Sequence, residues 1–189
     1  MRIIGGRLGG RSLIEPTPQM KRFLRPMREA VRAALFDVLS DFVINARFLD
    51  LFAGTGSIGL EALSRGAQSC VFVDSSEQAC QIIRENIKNL DLEKHARVYQ
   101  LDALQAIELF GRQGEEFDLV FIGPPYGKGL AHKTLAHLAR HSILSPGALV
   151  VTEIFKKETI QTEYDLLESF DERTYGDNRL WFYRWKTLE

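Results

Sequence analysis

Between Phe48 and Ile154 the chain alternates short apolar runs with longer amphipathic stretches. Phe48-Leu49-Asp50-Leu51-Phe52, Cys70-Val71-Phe72-Val73-Asp74, Arg97 to Leu101, Phe117 to Ile122 and Ala148 to Ile154 have the length and the β-branched or aromatic content of strands. Most are apolar at successive positions, as strands covered on both faces are. Ser57 to Arg65, stopped by Gly66, has helical spacing, as do Glu77 to Leu90, Ala103 to Phe110 and Lys133 to His141. A further helix follows Pro26, where Val31, Ala34, Leu35, Val38 and Leu39 fall on one face. Near the end, Tyr164 to Arg173 and Leu180 to Trp185 predict two strands joined at Tyr175-Gly176-Asp177-Asn178. Arg2 to Lys21, rich in Gly and Pro, predicts irregular backbone or a short strand pair. No internal repeat or low-complexity tract interrupts the pattern.

Such alternation predicts an α/β fold, a doubly wound and mostly parallel sheet with helices on both faces and an antiparallel strand near the C-terminus. In sheets of this kind ligands sit beyond the carboxyl ends of the strands. Asp50, Asp74, Asp102 and Gly123 all lie at or just past such ends, which sets four candidate groups along one edge. The length of 189 residues, 45% of them hydrophobic, suits one domain with a sizeable core. Within it, residues 1–34 read as an N-terminal arm and 47–189 as the core that carries the chemistry.

Composition removes several classes. A net charge of −1 with 10% aromatic residues excludes global disorder, and no run approaches the ~18 apolar residues of a membrane span. The opening MRIIGGRLGG has no apolar core of a secretory signal. With Cys70 and Cys80 alone and no His/Cys cluster at ligand spacing, neither a disulfide scaffold nor a metal site is expected, and the expected location is a reducing cytoplasm. Charge is unevenly spread: residues 1–34 carry eight Lys or Arg against two Glu, and the rest carries 16 basic against 23 acidic side chains. A basic arm on an acidic body suits a nucleic-acid partner, although a solvated terminal segment has the same composition.

Asp50-Leu51-Phe52-Ala53-Gly54-Thr55-Gly56-Ser57-Ile58-Gly59 places G-x-G-x-x-G between a strand and a helix, with Asp74 twenty residues past Gly54. A nicotinamide dinucleotide would put its pyrophosphate on that turn, and Asp50 would stand close to the dianion in a partly dry cleft. S-adenosylmethionine has no phosphate and carries an ammonium and a sulfonium, so Asp50 favours it. Asp74 can accept from two ribose hydroxyls. Asp102, followed by Ala103, can accept from an adenine amino group or cap the next helix. After the fourth strand, Gly123-Pro124-Pro125-Tyr126 forms a stiff turn that offers carbonyls and a flat aromatic face to a planar base.

Taken together, these stretches resemble the bacterial small-subunit ribosomal RNA guanine-N2 methyltransferases nearly end to end. The similarity includes Arg2-Ile3-Ile4-Gly5-Gly6, Arg25-Pro26, Val31-Arg32, Ala34-Leu35-Phe36, Asp50 through Arg65, and Tyr175-Gly176-Asp177 with Phe182-Tyr183. The resemblance implies a class I, seven-stranded Rossmann-like methyltransferase sheet and an enzyme that uses S-adenosylmethionine on 16S rRNA, within a small-subunit particle, without a membrane. It implies that Asp50, Phe52, Gly54, Gly56, Asp74, Asp102 and Ala103 surround the cofactor. Gly123, Pro124, Pro125 and Tyr126 would then hold the target base. Arg2, Arg7, Arg22, Arg25, Arg28 and Arg32 would meet RNA phosphates.

This chain departs from the family pattern at Gly123, where Asp or Asn is usual, at Met27 (usually Thr) and at Ala33 (often acidic). An acceptor at 123 would orient the weakly nucleophilic guanine amine, and losing one preorganised group costs roughly 10²–10³ in rate. The departure admits three explanations: slower transfer, an acceptor from elsewhere, or an altered sequence; it also motivates a rival reading as an RNA-binding or assembly protein that keeps a cofactor pocket. Amine methylation of adenine or cytosine in DNA fits the same turn. His137 and His141 lie one helical turn apart with no third ligand evident from the sequence. Trp181, Phe182 and Trp185 read as strand packing.

Overall fold

The computed structural model of the chain describes residues 1–22, 24 and 26–186, Arg22 by its backbone alone. Eight strands form one sheet in the order β3-β2-β1-β4-β5-β8-β7-β6. They are β1 (Arg47–Leu51), β2 (Ser69–Asp74), β3 (Ala96–Gln100), β4 (Phe117–Ile122), β5 (Leu144–Phe155), β6 (Glu163–Tyr164), β7 (Leu167–Tyr175) and β8 (Asn178–Trp185). The first five run parallel, while β8 is antiparallel to β5, as are β7 to β8 and β6 to β7. The eighth strand is the two-residue β6, formed where the chain reverses at Asp165 (φ 50°) so that Tyr164 pairs with Leu167.

Alternate side chains of the central strands go to opposite faces. Phe48, Phe72, Leu119, Phe121, Leu149 and Val151 join one core cluster with residues of α1 (Glu29–Leu39), α2 (Ser57–Ser64) and α3 (Glu77–Asn89). Leu49, Leu51, Val71, Val73, Val120, Ile122 and Val150 face the other way, onto α4 (Ala103–Gln113) and α5 (Leu130–Leu138). The doubly wound reading holds for a plain reason: every central strand is apolar on both faces and needs a helix layer on each.

Local signals place the helices. Ser76 caps α3 by accepting from the Ala79 amide at 3.2 Å, and Gly114 (φ 67°) ends α4. Expected at Lys133, α5 begins at Leu130, because Gly129 (φ 65°) turns the chain into the helix. β5 also starts earlier than its apolar run, at Leu144. A register shift between Phe117 and Leu119 absorbs the Pro146-Gly147 irregularity.

The N-terminal segment is not a free arm. Ile3 and Leu13 are buried, the Ile4 and Gly5 amides donate to Glu61 at 2.8 Å each, and the Ile14 amide donates to Asn86 at 2.8 Å. A single bridge joins Arg2 to Ser12, in keeping with the expected short pairing.

Candidate active site

Strand order reverses between β1 and β4, so the loops leaving their carboxyl ends diverge. A cleft of about 510 Å³ opens there, bounded by the β1–α2 loop, the end of β2, the turn after β4 and the end of β5. Size and place both suit a cofactor with a substrate beside it.

One wall is the glycine loop. Phe52, Gly54 and Gly56 all adopt positive φ (62°, 58° and 79°), unusual for Phe52 and natural for the glycines. Gly59 serves packing: a β-carbon there would lie 2.4 Å from the Phe72 ring and 2.6 Å from Cys70 Sγ. Glycine therefore lets α2 lie directly on β2.

Two carboxylates organise the loop. Asp50, 1% exposed, accepts the Gly59 amide at 3.0 Å, and burial pushes its pKa up to about 7. Asp74 accepts from the Gly54 and Ser76 amides at 2.8 and 2.9 Å, tying the glycine loop to the start of α3. The Gly56 amide bonds the Ala53 carbonyl at 2.8 Å. The Gly54, Gly56 and Gly59 amides are thus bonded within the protein, and two acidic groups stand among them.

The opposite wall is the turn after β4. The Gly123 amide donates to the Leu51 carbonyl at 3.3 Å, Pro124 is buried, and Tyr126 lies half-buried with its ring 6.0 Å from that of Phe155. A β-carbon on Gly123 would fall 2.8 Å from Phe121 Cε1, so the ring edge occupies the space where a side chain would begin. Beside this turn stands Glu153 at the end of β5, 6% exposed and lining the cleft. Asn178 Nδ2 donates to it at 2.6 Å and the Tyr126 hydroxyl bonds it as well. Burial raises its pKa, with those two hydrogen bonds opposing the rise.

The family described as "Conserved hypothetical protein 95" matches residues 1–184 of the chain. The chain belongs to this family. By sequence it is similar to YlbH of Bacillus subtilis (strain 168), named as a candidate rRNA methyltransferase, at 35% identity over 93% of this chain and 94% of that protein. It is also 35% identical to Ribosomal RNA small subunit methyltransferase D of Escherichia coli (strain K12), over 81% of this chain and 74% of that one. A solved structure titled as a candidate methyltransferase, yhhF from Escherichia coli, superposes with a TM-score of 0.84 at 28% identity over 98% of both chains. The fold is thus the Rossmann-like methyltransferase fold that the resemblance implied.

In this member of the Conserved hypothetical protein 95 family, Asp50, Phe52, Gly54, Asp74, Gly123, Pro124, Pro125 and Tyr126 all line the cleft. Gly56 sits behind the loop, where a β-carbon would meet Ile83 Cγ1 at 3.1 Å. Asp102 is exposed and caps α4, accepting from the Leu104 amide at 2.9 Å, and Ala103 is buried under the sheet. Neither lines the cleft, so of the two roles open for Asp102 the structure displays the cap.

Arg32 corrects the charge reading. It is fully buried, donates to the Arg2 carbonyl and lies 3.6 Å from the equally buried Glu61, whose other oxygen takes Arg65 at 2.8 Å. An arginine sealed beneath the N-terminal segment meets no phosphate; it holds that segment on α2. Arg2, Arg7 and Arg28 are exposed. Arg25 and the Arg22 side chain lie outside the described residues.

Sequence reading missed Glu153, which sits in an apolar run and so read only as strand. The usable signal was its place at a strand's carboxyl end, like Asp50 and Asp74. Folding also brings Glu108 to His137 and His141, with ligand atoms within 4.8 Å of one another, a third group the sequence did not reveal. Arg112 and Arg140 share that hollow and oppose a cation there. Among the described residues no helix is long and apolar enough to cross a membrane.

Proposed function

We propose that this protein transfers a methyl group from S-adenosylmethionine to the N2 amine of a guanine in 16S rRNA of the small ribosomal subunit. The observation that carries the reading is one cleft in which a carboxylate-lined glycine loop faces a Pro-Pro-Tyr turn. Its cofactor wall suits a cation without phosphate: Asp74 takes the Gly54 amide, Asp50 takes that of Gly59 in α2, and two carboxylates would oppose a pyrophosphate. Its base wall offers the Tyr126 ring and the carbonyls of Gly123 and Pro124 to a planar base. S-adenosylmethionine supplies the electrophilic methyl; the protein's task is to hold an amine in line with it.

Ribosomal RNA as the acceptor is supported by the names of the two relatives. The exposed cations Arg2, Arg7 and Arg28 would meet phosphates of an assembled particle. Gly123, which presents no side-chain acceptor, favours a second reading as an RNA-binding protein that keeps its cofactor pocket.

Calorimetric titration with S-adenosylhomocysteine and NAD, then labelled methyl transfer to unmethylated small subunits with nucleoside digestion, tests the proposal. The expected result is S-adenosylhomocysteine binding, no NAD binding, and label in N2-methylguanine. Label in N6-methyladenine would move the substrate, and binding without any label would favour the second reading.

A further inference from the structure

Gly123 brings no side chain to the cleft, and a carboxylate stands beside it at the end of β5. Ile122 pairs with Thr152, whose hydroxyl donates to the Ile122 carbonyl at 3.0 Å. One residue further along each chain stand Gly123 and Glu153, on the face shared by the paired Phe121 and Val151. Of the three carboxylates lining the cleft, Glu153 is the one bonded to the Pro-Pro-Tyr turn, through the Tyr126 hydroxyl.

Its surroundings are those of a group prepared to accept a hydrogen. It is 6% exposed, and the Arg28 cation acts on it through space without a direct hydrogen bond. Its partners are neutral donors, Asn178 Nδ2 at 2.6 Å and the Tyr126 hydroxyl. A carboxylate has about four acceptor sites, so two donors leave capacity for an amine. The Phe121 ring, 2.8 Å from where a Gly123 β-carbon would sit, closes the alternative position.

We propose that Glu153 is the catalytic acceptor for the target amine, taking the role that Asp or Asn at position 123 would otherwise fill. This rests on the methyltransferase reading above. The amine nitrogen forms a bond to the methyl carbon as the carbon–sulfur bond breaks, and that bond's electron pair stays on sulfur as a neutral thioether. The nitrogen sheds one proton to the Glu153 carboxylate, which later passes it to water. Sulfonium and carboxylate are both neutralised, so charge balances.

The test is single-turnover transfer at saturating S-adenosylmethionine across pH, on wild type, Glu153→Gln and Glu153→Asp, with S-adenosylhomocysteine affinity measured in parallel. Glutamine keeps the volume and the Asn178 bond while losing basicity. The expected result is a 10²–10⁴-fold lower rate with unchanged S-adenosylhomocysteine affinity and loss of the acid limb of the pH profile. Aspartate should retain part of the rate and the limb. Tyr126, Asn178 and Arg28 act on Glu153 directly, and Lys128, Asp50 and Asp74 are the other charged groups lining the cleft.

Tyr126→Phe keeps the ring but removes a donor that stabilises the carboxylate, and should move the acid limb to higher pH. This variant tests the coupling without touching Glu153. A Glu153→Gln protein that transfers at the wild-type rate with the wild-type pH profile would overturn the proposal. Wild type that neither binds S-adenosylhomocysteine nor transfers methyl would overturn the parent reading and the proposal together.

Discussion

The two walls of the cleft are built in different ways. The cofactor wall is local: Asp50, Gly54, Gly56 and Gly59 lie within ten consecutive residues, and Asp74 reaches back to Gly54 from the next strand. Its geometry is fixed by backbone amides on carboxylates, which tolerate little change. The base wall is assembled from distant segments: Gly123 to Tyr126, Glu153 thirty residues later, and Asn178 from a hairpin tip. Its geometry depends on strand pairing, so the groups that meet there are set by register. A contiguous motif is specified by its own residues, whereas an assembled wall is specified by the fold.

The harshest test of the cofactor wall acts through its support. Arg32→Ala leaves Glu61 without its buried partner and loosens the N-terminal segment from α2, which carries the glycine loop. Breaking a buried pair costs roughly 3–5 kcal/mol; Arg65 keeps a bond to Glu61, so a loss of about 3 kcal/mol is expected in denaturant unfolding. Asp50→Ala should act on the loop itself, leaving the Gly59 amide unbonded, and weaken S-adenosylmethionine binding by roughly 10- to 100-fold. Calorimetry on both variants would show whether the two losses are separable.

Asp50 also gives a pH signature. Its folded pKa of about 7 lies above the usual carboxylate range, so the protonated form is the one folding favours. That contribution to stability is present below about pH 4 and is lost as pH rises through 7. A cationic ligand prefers the ionised form, so S-adenosylmethionine affinity should rise between about pH 5 and 7 and then level off. Asp50→Asn should flatten both curves.

Smaller effects belong to the base wall and its rim. Tyr126→Ala removes a stacking face worth roughly 1–3 kcal/mol; it should weaken RNA engagement, read as a higher KM for particles, and leave S-adenosylhomocysteine binding unchanged. The smallest is Arg7→Ala, which should lower RNA affinity a few-fold and reduce the salt slope by about one unit if one phosphate is lost. Loss of cofactor affinity in Tyr126→Ala would show that the walls are not independent.

This division also explains what the sequence disclosed. The alternating elements, the glycine loop and the Pro-Pro-Tyr turn were legible because hydrophobic period and turn chemistry are local signals. Glu153 was not, because its meaning comes from standing one step beyond the Ile122–Thr152 pair, and register is not written in either strand. Arg32 was misread for a related reason: counted among surface charges, it is buried by an ion pair with a residue 29 positions away. Asp102 presented two roles at one spacing, and the structure displays the cap, made through one of its two oxygens. The late start expected for α5 came from weighting apolar spacing over the turn at Gly129.

The Phe121 ring beside Gly123 couples the two positions. A side chain introduced at 123 would bring its first carbon within 2.8 Å of that ring, so the ring has to shift to admit it. A smaller residue at 121 would open that space, and the two positions are therefore best varied as a pair.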